Sequence, residues 1–384
     1  MTENSRTEFR PIYPLAVALF IVLLLPSVRA WFHDTGGIRW LHILLVSSTI
    51  TFIVMPALIR AALRYDVLDV PDPRKIHSMP VPLIGGVGIY MAFLVSILDN
   101  AIFTREVIAI IISSSIVFLS GLLDDIFKLS SRLRLSLQLL AVAILLLNGI
   151  SIIIFKQTWA GVMLNSLLTG LWIIGLTNSF NFFDGMDGLA AGLSVIVAFF
   201  IGIVAFQTYQ PFLGWLSIAI MGGCIGFLPY NFGPNKPAEI FLGDSGSNFL
   251  GFTLASIAVM GEWSETSSIS SLVTPLLIFS IFIYDMIYIT ISRVATGKVH
   301  NIREWLDYVG KDHLHHRIAD ILVSKKKSVL LIYFLAFTLG LNALLLRTAD
   351  SPSALLLLSQ AGCILIIFTI MEIAGNRNSE NGKA

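Results

Sequence analysis

The chain has 384 residues, 56% hydrophobic and 13% charged, and its mean hydropathy of +0.83 lies far outside the soluble range. These values exclude the two or three soluble domains that length alone would suggest, and a formal net charge of +1 selects no partner until it is resolved by position. Cys224 and Cys363 both stand in apolar segments, so no disulfide framework is expected and both read as core filler.

Apolar stretches long enough to cross a bilayer, about 20 residues each, recur from end to end. In chain order they cover residues 12–28, 40–62, 83–98, 106–123, 135–154, 167–183, 189–209, 211–230, 247–262, 271–292, 328–346 and 353–374. A β-barrel would show short alternating segments, whereas helices satisfy their own backbone groups in lipid. The expected fold is therefore all-α: one polytopic membrane-embedded domain, 1–384, of about twelve transmembrane helices. Loops at 63–84, 124–134, 231–246 and 293–327 and a polar tail at 376–384 connect and end it. Arg6 and Arg10 before the first apolar run also fit a signal segment ending at Ala30, and its cleavage would leave eleven spans. A retained helix is the expectation. No internal repeat is visible.

Orientation follows from Lys and Arg in the connections. With a cytoplasmic N-terminus the inside segments collect 20 basic residues and the outside ones only 5, namely Arg29, Arg39, Arg105, Lys156 and Arg347. The costly polar clusters then share the inner face: PDPRKIHSMPVPLIGG, GLLDDIFK, NSFNFFDGMDGLA, PNKPAEIFLGDSGS and KDHLHHRI. A protein that only packs helices has no reason to sort its polar groups in this way. A site at the cytoplasmic membrane surface is indicated.

On a continuing helix Asn178, Asn181 and Asp184 step by about 60° and share one broad face, while Gly185 and Gly188 let the chain unwind just past them. Asp124 and Asp125 end an apolar run; adjacent carboxylates repel unless a cation is shared, and hard divalent ions prefer such oxygen ligands. In FLGDSGSNFLG, Asp244 stands between glycines whose N–H groups, at a helix start, are suited to an anion such as phosphate. If 312–322 is helical, His313, His316, Arg317 and Asp320 share its polar face, with His315 near the opposite edge. This set suits phosphate better than zinc, there being no cysteine and no fixed ligand spacing. Ile302, Trp305, Leu306 and Val309 form a stripe like that of an interfacial helix. Each motif alone has an ordinary reading: amide glue between helices, a helix end reaching water, a capped loop, a basic loop beside anionic lipid. Their joint placement does not.

Taken together, DD after an apolar helix, N-x-x-N-x-x-D-G-x-D-G-L, F-x-G-D-x-G-S and H-x-H-H resemble the polyprenyl-phosphate N-acetylhexosamine-1-phosphate transferases, the superfamily of WecA, TagO and MraY. The likeness covers about residues 40–346, and H-x-H-H is nearer the WecA and TagO branch than MraY. The resemblance implies a multi-pass enzyme of the bacterial cytoplasmic membrane. It would move a sugar 1-phosphate from a UDP-N-acetylhexosamine, above all N-acetylglucosamine, to undecaprenyl phosphate, releasing UMP and initiating a cell-surface glycan. It further implies Mg²⁺ or Mn²⁺, membrane lipids as surroundings, no nucleic acid partner, and leaves a homodimer open. By the same resemblance Asp244 and Asp125 would hold the metal, and Asp124 with Asp125 would serve the acceptor phosphate. Asp184 would belong to the catalytic set; Asn178, Asn181, Asp187 and Asn235 (or Asn231) would lie by the nucleotide, and Phe241 would stack on uracil. Lys75, His313, His315, His316 and Arg317 would contact phosphates. Two features depart from the pattern: Asp312 immediately precedes His313, and a twelfth span exceeds the usual ten or eleven.

Two other classes are weighed against this. An intramembrane prenyltransferase would carry two aspartate-rich repeats, and this chain has one DD. A transporter would place its polar groups near mid-membrane at broken helices, where only Asp285 stands. For the transfer itself a dianionic phosphate acceptor needs little activation, so a single displacement assisted by Asp124 is expected over a covalent phospho-aspartate.

Overall fold

The computed structural model describes residues 11–35, 37–71, 79–233, 236–263, 268–301, 304, 308, 310 and 312–381. Lys75, Asn235 and the expected interfacial stripe Ile302, Trp305, Leu306 and Val309 lie outside them. The described chain is almost entirely helical and divides into two compact units, Met1–Gly261 and Glu262–Ala384.

The first unit holds α1 (Tyr13–Leu23), α2 (Pro26–Asp34), α3 (Arg39–Arg64), α4 (Gly85–Asp99), α5 (Arg105–Phe127), α6 (Ser131–Leu147), α7 (Trp159–Phe183), α8 (Leu189–Gln207), α9 (Pro211–Asn231) and α10 (Gly243–Met260). A two-residue ladder, β1 (Leu68–Asp69) with β2 (Val81–Pro82), is antiparallel. The helix α10 is the hub: it packs against α4, α5, α7, α8 and α9, and every residue from 245 to 258 is buried. Its small residues explain the close fit. A Cβ at Gly86 would stand 2.3 Å from Gly246 Cα, and one at Gly251 would stand 2.9 Å from Thr177 Cα.

The second unit holds α11 (Ser268–Ile278), α12 (Ser280–Ala295), α13 (Leu314–Leu322), α14 (Lys325–Leu346) and α15 (Ser351–Asn381). Here α14 packs against α11, α12, α13 and α15.

Each of the twelve expected spans contains helix, yet only seven of the described helices are long and apolar enough to cross a membrane, or nine if each of two bent pairs counts as one. The run expected over 12–28 bends by 71° between α1 and α2, where Pro26 starts the second helix. The run over 271–292 bends by 77° between α11 and α12. The remaining three are α4, α6 and α10. Hydropathy fails at α10 because its surroundings are protein, so serine, threonine and glycine are tolerated where lipid would forbid them. The run over 135–154 is corrected at its end: α6 stops at Leu147, with Gly149 at φ +83° just beyond Asn148. Residues 150–158 then run beside α7, where Asn165 and Thr169 accept the backbone N–H groups of Ile154, Phe155 and Ile152. An apolar run thus continues as loop because α7 supplies side-chain acceptors.

Candidate active site

The acidic pair closes α5. Lys128, in the left-handed region at φ 56°, ends the helix, and Asp124 Oδ1 accepts the Leu129 N–H at 2.6 Å. Asp125 reaches across to α10, where its Oδ1 accepts from Asp244 N at 2.8 Å and its Oδ2 from Ser245 N at 3.0 Å. The backbone N–H of Gly243 hydrogen-bonds Asp184, which follows α7. The first turn of α10 is therefore satisfied by the protein's own carboxylates, which corrects the expectation of phosphate at these N–H groups. Gly243, at φ +78°, makes this possible: a Cβ there would lie 2.7 Å from Asp125 Oδ2 and 2.2 Å from Leu83 O.

This docking turns the Asp244 side chain toward Asp124. The two carboxyl groups face one another within hydrogen-bonding reach. Arg134 of α6 joins them, with Nη1 at 2.7 Å from Asp124 Oδ2 and 3.2 Å from Asp244 Oδ2. The Asp244 and Arg134 side chains are each about a third exposed (32% and 34%), against 8% for Asp124, so the pair opens on the Asp244 side. Asn181 steadies Asp244, donating to its Oδ1 at 2.8 Å and to Ser247 Oγ at 3.0 Å.

The three-residue spacing of the opening motif divides its members among different partners. Asn178 points to α6, bonding Gln138 Oε1 at 3.2 Å and its own helix at Ile174 O, and so acts as glue. Burial, then the negative charges of Asp244 and Asp125, pushes the Asp184 carboxyl well above the usual carboxylate range. Asp187 accepts the Ala238 N–H at 3.1 Å, and buried Asn231 accepts Gly188 N at 2.7 Å while donating to Ile240 O at 2.9 Å. Asp187 and Asn231 thus tie the DGMDG turn to the segment carrying Phe241. That segment is held by Phe241 N donating to Pro82 O and by Gly85 N donating to Phe241 O, with the ring half-buried.

In the second unit α13 begins at Leu314, not at residue 312, and His313 is extended at φ −69°, ψ 153°. Helical spacing therefore does not apply to His313. His315, expected at the opposite edge, lies against both of its neighbours, with ring centroids 6.1 Å from His313 and 4.2 Å from His316. Burial, then the positive charges of His316, His313 and Arg317, holds His315 well below the usual histidine range. Asp285 accepts from His313 Nδ1 at 2.8 Å and from Leu314 N at 2.7 Å, capping α13 from α12. Arg317 is ion-paired to Asp285 and Glu372, and Arg293 grips Asp312 through two bonds of 2.7 Å. Burial opposes ionisation of Asp312, but the Arg293 guanidinium prevails and holds it below the usual carboxylate range.

The donor set in the first unit fits a hard divalent cation. Asp124, Asp125, Asp184 and Asp244 bring four carboxyl groups near two cations, Arg134 and Lys128, so the site is rich in hard oxygen donors. Among the described residues no group of three or more His, Cys, Asp or Glu side chains stands at chelating distances. Mg²⁺ commonly takes only one or two carboxylates and completes its shell with substrate phosphates and water. Asp124 and Asp244 are the converging pair; Asp125 engages both oxygens at the α10 start. Sequence reasoning missed Arg134 and Gln138. Their signal is a polar pair at i, i+4 on a helix entering an apolar run, which puts both on one face.

The chain matches the model of glycosyl transferase family 4 over residues 107–262. It is 32% identical over 356 residues, 90% of this chain and 95% of the relative, to a probable undecaprenyl-phosphate N-acetylglucosaminyl 1-phosphate transferase of Bacillus subtilis. A decaprenyl-phosphate N-acetylglucosaminephosphotransferase of Mycobacterium tuberculosis is 28% identical, covering 84% of this chain and 86% of its own length. An undecaprenyl-phosphate alpha-N-acetylglucosaminyl 1-phosphate transferase of Escherichia coli is 27% identical, covering 73% and 77%.

Proposed function

Because the chain belongs to the polyprenyl-phosphate sugar-1-phosphate transferases of glycosyl transferase family 4, we propose that it transfers N-acetylglucosamine 1-phosphate from a UDP-sugar to undecaprenyl phosphate. The observation that carries this reading is the convergence of Asp124, Asp244 and Arg134 at the start of the buried helix α10. The acceptor phosphate oxygen attacks the β-phosphorus of the UDP-sugar, the bond between the β-phosphorus and the bridging oxygen breaks, and UMP leaves. Both reactants are phosphates, so catalysis is alignment and charge neutralisation rather than covalent chemistry by the protein.

Asp124 and Asp244 are assigned to hold the divalent ion, Mg²⁺ or Mn²⁺, which when bound would neutralise phosphate charge. Arg134 supplies a further positive charge to the same group, Asn181 orients Asp244, and Asp125 positions the α10 turn. Phe241 is assigned to the uracil and Asp187 to the segment that carries it. For the second unit the proposal keeps the role that the resemblance implies for His313, His315 and His316, contact with phosphate. The basic asymmetry of the connections supports a cytoplasmic position of the acidic site in a bacterial inner membrane.

Purified protein supplied with undecaprenyl phosphate, Mg²⁺ and a panel of UDP-sugars should release UMP, most rapidly from UDP-N-acetylglucosamine. No burst of UMP should appear without the lipid, as expected of single displacement. Absence of UMP with every donor would overturn the reading.

A further inference from the structure

The C-terminal helix α15 carries one carboxylate into an apolar setting. Glu372 closes the apolar segment Pro352–Glu372 and is 1% exposed. A buried charge of this kind is costly unless paired and hydrogen-bonded. Arg317 is the partner, donating from Nε to Glu372 Oε2 at 3.2 Å and from Nη2 to Oε1 at 3.4 Å. The carboxylate is itself fixed, since Tyr284 donates to Oε2 at 3.3 Å and lies 2.8 Å from Thr369 Oγ1 one turn earlier on α15.

The remaining bonds of Arg317 show what this arrangement protects. Its Nη1 donates to Asp285 Oδ1 at 3.3 Å and to the Asp312 carbonyl, and its guanidinium lies 4.0 Å from the centre of the Tyr288 ring. Asp285 Oδ1 also caps α13 at Leu314 N, and its Oδ2 holds His313 Nδ1. Glu372 thus occupies the Nε–Nη2 edge of a guanidinium whose other carboxylate partner, reached from Nη1, is the group that orients His313. Without Glu372, a bidentate grip on Asp285 would be the remaining way to satisfy Arg317, and such a grip competes with His313 for Oδ2.

We propose that Glu372 is a positioning residue for the histidine motif, acting through Arg317 and Asp285 on His313. The helix α15 thereby becomes part of the transfer machinery. The inference rests on the assignment of the histidines to the transfer reaction.

The test uses the full-length enzyme in lipid nanodiscs. Glu372→Gln keeps the shape and removes the charge; in folded protein it should lower kcat by about tenfold or more and leave the KM for UDP-sugar nearly unchanged. Glu372→Asp should restore part of the loss and serves as the reporter if the glutamine variant does not fold. Adding Glu372→Gln to Arg317→Met should cost nothing beyond Arg317→Met alone, because the two act as one unit. Amide exchange over 313–322 should quicken in Glu372→Gln, whereas that over 178–190 should not. Wild-type kcat in folded Glu372→Gln, losses that multiply in the double variant, or unchanged exchange would each overturn the proposal. The exchange measurement needs no turnover, so it is read even if the wild type releases no UMP and the transfer reading itself falls.

Discussion

Asp124 and Asp125 are neighbours in the chain and do different work in the fold, because successive residues on a helix point about 100° apart. Asp125 turns to the backbone of α10 and Asp124 to Asp244 and Arg134. Asp244→Asn keeps the bond from Asn181 sterically possible but removes the negative charge from the converging pair. It should lower UMP release by about 10²- to 10³-fold, as when one electrostatic contact to a transition state is lost; normal turnover at ordinary Mg²⁺ would remove Asp244 from the metal. Arg134→Met removes the built-in cation and leaves Asp124 and Asp244 in mutual repulsion. Added Mg²⁺ should therefore raise the thermal unfolding midpoint more in this variant than in the wild type, since a ligand that binds only the native state stabilises it by mass action. An equal shift in both would sever the link between Arg134 and the proposed cation site. The acids were legible as residues because carboxylates in an apolar chain stand out. Their division of labour was not, since it depends on which neighbouring element each one meets.

At the scale of elements, the site depends on how closely α5 and α10 approach. A Cβ on Gly121 would stand 2.5 Å from Asp244 O and 2.6 Å from Ser245 Cα, so even alanine must push the two helices apart. Gly121→Ala should cost about 1–3 kcal/mol of stability by overpacking and should also depress activity, because it moves Asp124 relative to Asp244; full activity in a destabilised protein would show that the spacing is not critical. Asp125→Asn should cost about 1 kcal/mol through a weakened helix cap, because one of its two acceptors becomes an amide NH₂ facing the Asp244 or Ser245 N–H. Chemical unfolding in matched detergent measures both. The helices themselves were readable from apolar periodicity and length, but their ends were not. Residues 150–155 are as apolar as many helices, yet run as loop because Asn165 and Thr169 on α7 offer acceptors. No local rule in the sequence contains that partner.

At the scale of the whole molecule, the chain is an integral membrane protein, and the proposed orientation can be checked directly. After replacement of exposed Cys363 by serine, Cys224 being buried, a cysteine at exposed Gln157 should react with an impermeant thiol reagent added outside intact cells. One at exposed Lys236 should react only after the membrane is opened. External labelling at 236 would place the acidic site on the other face. The sequence by itself determined the solvent, the helical class and the polar residues to which the chemistry is assigned by proposal, because bilayer thickness and the cost of buried charge act on residue type and order alone. The tertiary structure decided which of those residues meet: that Asp125 and Asp184 serve the backbone of α10, that Asp124, Asp244 and Arg134 converge, and that Glu372 joins Arg317. These partners stand 55 to 120 residues apart wherever the contact joins α5 to α10, α6 to α10 or α13 to α15. Only the close packing permitted by glycine and small residues brings them within hydrogen-bonding distance.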